Sequence, residues 1–239
     1  MLADNFTTAE QGTDEWKDDR RWLVTASDAA AMVGCDERKS YGKLLREKRH
    51  GPEPVGEWLE RKFAMGRQNE AYVVREAEKR LDMRNYASLC NLWVSHPLGA
   101  SPDGMLFDQK GRRPPVLLEV KTTEVQLPEV PPMRVLAQTS VGMHCTGLPH
   151  AVIAYDLLQS ETEHRHTIML WGQHYDDHTF GLTQFLKQAA TEFLEAVQDP
   201  AVKDKARVPP QLKHDARRLF AQLRVVRLTG EMKQSTKEG

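Results

Sequence analysis

Residues 101–121 read SPDGMLFDQKGRRPPVLLEVK. The last six, Val116-Leu117-Leu118-Glu119-Val120-Lys121, follow the pair Pro114-Pro115. An apolar, β-branched run bounded by prolines has the pattern of a short strand. Strand side chains alternate between faces, so Glu119 and Lys121 share one face and Leu118 and Val120 the other. An unpaired buried charge is expensive. Two charges ending an apolar strand therefore predict a pocket with its own counter-charges. Asp103, just after Pro102, is expected to face that pocket from the neighbouring strand. Two carboxylates with a lysine beside them suit Mg²⁺, which takes few carboxylates and keeps waters and substrate phosphate. The plainer alternative is an exposed Glu/Lys pair on an edge strand, with Ser-Pro-Asp-Gly as a turn.

The chain around this stretch has 239 residues, 40% of them hydrophobic, and a net charge of −1. That is enough for one large core. The balance does not announce a nucleic-acid binder, but a basic groove can act inside a neutral whole. No apolar run approaches about 18 residues, so no membrane span is expected. The N-terminus lacks a basic start and an apolar stretch, so no secretion signal is expected. Cys35, Cys90 and Cys145 are odd in number and widely spaced. They read as small buried hydrophobes in a reducing cytoplasm.

Taken in order, residues 1 to about 15 read as a loose arm. Thr25-Ala26-Ser27-Asp28 before Ala29 to Val33 has the pattern of a capped helix start, and Gly34 ends it. Free amides there could seat a phosphate, with Arg20 and Arg21 just upstream. Tyr41 to His50 is a short basic helix. A long helix is expected from Glu57 to Leu81, with a stripe of Leu59, Phe63, Gly66, Glu70, Val73 and Ala77. Glu70 is the anomaly in that stripe and is expected to aim into the pocket. Gly66 in mid-helix suggests close approach of another backbone. Tyr86 to Val94 is a weak strand candidate, and Met105 to Phe107 belongs to another. The basic turn 108–115, DQKGRRPP, reads as a solvated loop. Met133 to Cys145 should be a helix, 151–158 and 166–171 a hairpin, and Asp176 to Val197 an amphipathic helix. His174 and His178 are four apart without a zinc-protease pattern, so they read as surface or packing residues. From residue 200 the chain carries ten Lys/Arg against four Asp/Glu. The division is one domain over 1–199 and a basic C-terminal arm over 200–239.

Asp103 after Pro102, and Glu119-Val120-Lys121 on the strand, lie inside an αβββαβ order. This resembles the PD-(D/E)XK nuclease superfamily: an α/β, restriction-endonuclease-like core with a mixed central β-sheet flanked by helices. Four motifs narrow the resemblance to lambda exonuclease and its YqaJ-type viral recombinase relatives. The first is Glu10-Gln11-Gly12 with Trp16, Arg20 and Thr25-Ala26-Ser27. The second is Gly66-Arg67-Gln68-Asn69-Glu70. The third joins Ser101-Pro102-Asp103-Gly104 to Leu118-Glu119-Val120-Lys121. The last is a helix holding Ala137-Gln138 and Gly142-Met143. The resemblance covers about residues 9–171. Two departures stand out: a longer turn between Asp103 and Glu119, and Gln138-Thr139-Ser140 where relatives carry Gln-x-Gln.

The resemblance implies a Mg²⁺-dependent 5′-to-3′ exonuclease acting on linear double-stranded DNA. Products would be mononucleotides and a 3′ overhang for single-strand annealing recombination. It implies two Mg²⁺ ions on Asp103, Glu119 and the Val120 carbonyl, with Mn²⁺ able to substitute. Glu70 would assist through water, Lys121 would orient or deprotonate the attacking water, and Gln138 would position it. Arg20, Ser27 and Ser101 would bind a 5′-phosphate, and Phe63 would be a strand-splitting wedge. Partners would be DNA ends, two further copies in a homotrimer ring and a single-strand annealing protein, in a cytoplasm of bacterial or phage-infected cells. The alternatives are a structure- or site-specific endonuclease on the same core and a non-catalytic DNA-end binder.

Overall fold

A computed structural model describes residues 13–54, 56–123, 126–160 and 165–228. Glu10-Gln11-Gly12 and residues 161–164, within the expected hairpin connection, lie outside them. The chain begins with helix α1 (Asp14–Arg21), strand β1 (Val24–Thr25) and helices α2 (Ala29–Met32), α3 (Tyr41–His50) and α4 (Glu57–Leu81). Strands β2 (Arg84–Asn85), β3 (Trp93–Ser95), β4 (Leu98–Ala100), β5 (Gly104–Phe107) and β6 (Val116–Thr123) follow. Then come α5 (Met133–Thr146), β7 (His150–Ser160), β8 (Arg165–His174), α6 (Asp177–Gln198), α7 (Pro210–Phe220) and β9 (Val225–Leu228).

The main sheet has the order β2-β5-β6-β7-β8-β9. The β6–β7 pair is parallel and the other pairs antiparallel. Parallel neighbours need a crossover, and α5 supplies it. A smaller sheet, β1-β4-β3, sits beside this one. Alternation along β6 and β7 divides the core as the sequence pattern requires. Leu117, Ala151, Ile153 and Tyr155 join the cluster under α2, α5 and α6. Leu118, Val120, Val152 and Ala154 join the cluster under Val73, Val74 and Ala77 of α4. The sheet thus lies between α4 on one face and the other helices on the opposite face.

Two glycines set how closely elements pack. A Cβ on Gly142 of α5 would fall 2.8 Å from Leu117 Cδ1, so the helix rests almost directly on β6. A Cβ on Gly66 would meet nothing within 4 Å, so the expected close approach is absent there. That glycine borders an open cleft instead.

Several other expectations need correction. The span 86–94 is mostly not a strand; it holds a single 3₁₀ turn at Ala87–Leu89 before β3. The 108–115 turn is not simply solvated. Arg113 donates to the Leu81 and Asp82 carbonyls, each at 2.5 Å, where α4 ends with Asp82 in the left-handed region. Cationic donors at a helix C-terminus satisfy its orphan carbonyls. The segment after residue 199 packs on the preceding elements. Ala216 and Phe220 of α7 are buried in the main core, and β9 pairs with β8. Arg49 ties the junction, donating to the carbonyls of Ala196, Val197, Asp199 and Val202 at 2.6–2.9 Å and to Asp204 at 2.7 Å. Cys35 and Cys145 are buried, whereas Cys90 is only partly so, and all are free thiols.

Candidate active site

The β5–β6 ladder ends at the pair Gly104↔Leu118. Two residues further along β6, the Val120 amide has no β5 residue opposite it. It donates instead to Asp103 Oδ2 at 2.7 Å. Asp103 therefore sits in the bend before β5, not within a neighbouring strand, and its carboxylate continues the ladder. This brings Asp103 close to Glu119, whose carboxyl feels its charge. Glu119 is 2% exposed, and Lys121 donates from the next position on the same face. The strand periodicity read from 116–121 accordingly holds: Glu119 and Lys121 pair, and Leu118 and Val120 are core.

A cleft of about 620 Å³ opens over these groups. Asp103, Glu119, Val120, Lys121, Glu70, Gln138 and Phe63 all line it. Glu70 leaves the apolar stripe of α4 and enters the cleft, as expected. Phe63 is 50% exposed, so it is surface and not core. Gln138 reaches the cleft from α5, one turn before the glycine that seats that helix on β6. The neighbouring polar positions turn away. Gln173 donates to Ser140 Oγ at 2.8 Å, and Thr139 donates to Gln173, all three being buried. Position 140 thus serves the α5–β8 contact.

The electrostatics follow from packing acids together. Burial and then the charge of Asp103 push Glu119 up to about 8, while Lys121 pulls it back. Burial and Asp103 likewise push Glu70 up to about 7, against Lys121 and Arg67. Burial disfavours the Lys121 ammonium, but Glu119 and Asp103 outweigh it and hold that amine above its ordinary range. Asp103, Glu119 and Glu70 crowd together at the floor of the cleft with Lys121 as their closest cation, and the raised values of Glu119 and Glu70 show that the three do not all ionise readily side by side. A divalent cation would offset their charge, and hard oxygens are what Mg²⁺ takes. Among the described residues no group of three or more His, Cys, Asp or Glu is placed to hold a metal ion by itself, so waters or substrate oxygens would have to complete any coordination shell. An open, water-completed site suits Mg²⁺ better than a closed one.

The three candidate phosphate residues lie apart from that cleft. Arg20 borders a second cleft of about 430 Å³ with Trp16, Thr25, Asp28 and Lys48. Its guanidinium rests 4.0 Å from the Trp16 ring centroid, and Trp16 Nε1 donates to Ser101 Oγ at 3.3 Å. Ser27 is exposed, 3.0 Å from the Thr25 hydroxyl. The expected capped helix is only the four residues of α2, and Asp28 makes no side-chain cap. Its carboxylate instead accepts from Thr25 at 2.7 Å and pairs with Lys48 at 3.0 Å and Lys39 at 3.3 Å. Lys48 also donates to the Leu23 carbonyl at 2.7 Å. Burial would raise the Asp28 pKa, yet the two lysines and Thr25 bring it down to about 2.

Sequence reasoning did not single out Arg38, Lys62, Arg67, Thr122 and Thr123, which also line the catalytic cleft. Arg67 lies inside the Gly66-to-Glu70 stretch and Lys62 one helical turn before Gly66, which was the available signal. Arg38 arrives from the loop before α3 and had none.

The fold and the cleft define a restriction-endonuclease-like protein of the PD-(D/E)XK type. The chain belongs to the YqaJ-like viral recombinase domain family, matched over residues 15–149. Its fold is similar to the alkaline exonuclease LHK-Exo from Laribacter hongkongensis, with TM-score 0.56, 18% identity and coverage of 86% of this chain and 97% of that one. The same enzyme in complex with dAMP matches at TM-score 0.56 and 18% identity, over 87% and 100% of the two chains. A phage-related exonuclease from Haemophilus somnus 129PT matches at TM-score 0.50 and 12% identity, over 74% and 95%. No curated protein matches the sequence. Among the described residues no helix is long and apolar enough to cross a membrane.

Proposed function

We propose that this protein is a Mg²⁺-dependent nuclease that digests one strand of linear duplex DNA from its 5′ end. The products are 5′-mononucleotides and a 3′ overhang. The observation that carries this reading is the convergence of Asp103, Glu119, Lys121, Glu70 and Gln138 in one cleft. Family membership and the fold shared with two exonucleases support it.

Asp103, Glu119 and the Val120 carbonyl would hold Mg²⁺, with Glu70 reaching it through water. Bound there, the metal would supply Lewis acidity to the phosphoryl oxygens and favour a hydroxide-like water. Lys121 presents a positive charge and a hydrogen-bond donor where negative charge grows in phosphoryl transfer. Gln138 fixes the position of Lys121 or of the attacking water. Phe63, exposed on α4 at the cleft, separates the terminal base pair. Arg20 and Ser101, joined through Trp16, and nearby Ser27 hold the 5′-phosphate. Arg20 offers a planar fork suited to phosphate. In this reading three copies ring the duplex and pass the overhang to a single-strand annealing protein.

The test is digestion of linear duplex labelled at either end, with Mg²⁺ and with chelator. Mononucleotides released from the 5′-labelled end, only with metal, are expected. Cutting of a covalently closed circle would favour an endonuclease instead. Binding of DNA ends without cleavage would favour an end-binding protein.

A further inference from the structure

Three side chains from β7, α5 and the loop before α3 neighbour residues of the catalytic cleft, and one of them, Arg38, lines it. Tyr155 of β7 stands in register with Lys121 of β6. Its side chain is 4% exposed, and its hydroxyl is buried with no hydrogen-bond partner among the described residues. Buried hydroxyls in folded proteins are almost always satisfied, by protein, water or ligand. Arg134 lies on α5 one turn before Gln138, so both project from one side of that helix. Arg38 lines the cleft together with Gln138, Lys121 and Glu119.

The two guanidinium groups act on each other and on the tyrosine. Burial, and then Arg38, hold Arg134 below its ordinary range, with Asp36 and Glu37 offsetting part of the repulsion. Burial pushes Tyr155 up to about 12, against Arg134 and Arg38. Lys121 also feels Arg134 as a like charge. Cations gathered around an unsatisfied donor make a seat for an anion.

We propose that Arg134, Arg38 and Tyr155 form a second phosphate seat, which takes the phosphodiester adjacent to the one cleaved. The guanidinium groups hold the charge, and the Tyr155 hydroxyl donates to a non-bridging oxygen. The identity of the strand rests on the nuclease reading; the anion chemistry does not. The seat fixes how far the strand enters, and so which linkage faces Lys121.

The test measures binding in chelator of a short duplex with a 5′-phosphate, and of the same duplex with its second internal linkage, the one next to the scissile bond, replaced by an uncharged methylphosphonate. Wild-type protein should lose about tenfold in affinity on that replacement, the worth of one charge-assisted contact. Tyr155→Phe and Arg134→Gln should bind the natural duplex more weakly and lose under about twofold on replacement. Tyr155→Phe keeps the buried ring, and a matching melting curve shows that the fold is intact. Variants that lose as much as wild type would overturn the seat. A wild-type protein that never cleaves DNA, yet shows the methylphosphonate effect, would sink the nuclease reading and leave the seat standing.

Discussion

The carboxylate of Asp103 accepts the Val120 amide at 2.7 Å, at the point where β5 no longer pairs with β6. A side chain thus completes the backbone ladder and is aligned with Glu119 by the same bond. Structure and chemistry are therefore separable at this residue.

Asp103→Asn keeps an acceptor for that amide and removes the charge. It should melt within about 1 kcal/mol of wild type and lose digestion by on the order of 10²-fold or more. Asp103→Ala should lose both. Thermal melts paired with release of label from linear duplex check this, and an active Asp103→Asn protein would remove Asp103 from the site. Lys121→Ala should behave like Asp103→Asn.

Gly142→Ala puts a methyl 2.8 Å from Leu117, which is 1% exposed. Overpacking of this kind costs about 1–3 kcal/mol, offset by up to about 1 kcal/mol of helix propensity. A net loss of about 1 kcal/mol should appear in denaturant titration. Activity should fall by more than the unfolded fraction explains, because α5 carries Gln138. A Leu117→Val background should recover part of both.

Phe63→Ala removes a side chain that is half exposed, so stability should stay within about 0.5 kcal/mol. Digestion of blunt duplex should slow, while digestion of an end that is already frayed should not. Equal slowing on both ends would remove the wedge role.

Asp28 has a folded pKa of about 2 against an ordinary 3.8. Its folded value is depressed, so its stabilisation is present above about pH 4 and disappears as pH falls toward 2. The shift corresponds to about 2 kcal/mol. Acid unfolding of Asp28→Asn should be flatter across that window. At neutral pH the variant should be less stable by about 3 kcal/mol, because Lys48 loses a buried partner.

Much of this was legible in short-range pattern. Alternation over 116–121 placed Glu119 and Lys121 on one face, and the helical stripe of α4 isolated Glu70 as the residue that leaves the core. Both are local consequences of period two and period 3.6. Gly66 misled because glycine signals either contact or vacancy, and only the packed chain distinguishes them. Gly142, lacking any such flag, was the glycine in contact. The placement of Asp103 in a bend depends on where β5 stops, and strand ends are poorly specified by propensity. Arg38, the Arg49 ties and the docking of α7 join residues far apart in sequence, which no local periodicity encodes. The suitability for Mg²⁺ followed from two carboxylates beside a lysine, whereas the individual catalytic roles are only what the family resemblance implies.

Helix α4 is divided along its length. From Val73 onward it is rooted in the sheet, while none of the described side chains between 57 and 70 is buried. Trp58, at 64% exposure, stands in this free half with Lys62 against its ring. Sequence change there costs the fold little, though the same residues overhang the chemistry. Substitutions in this half-helix can therefore reshape the mouth of the cleft while the foundation beneath it stays unchanged.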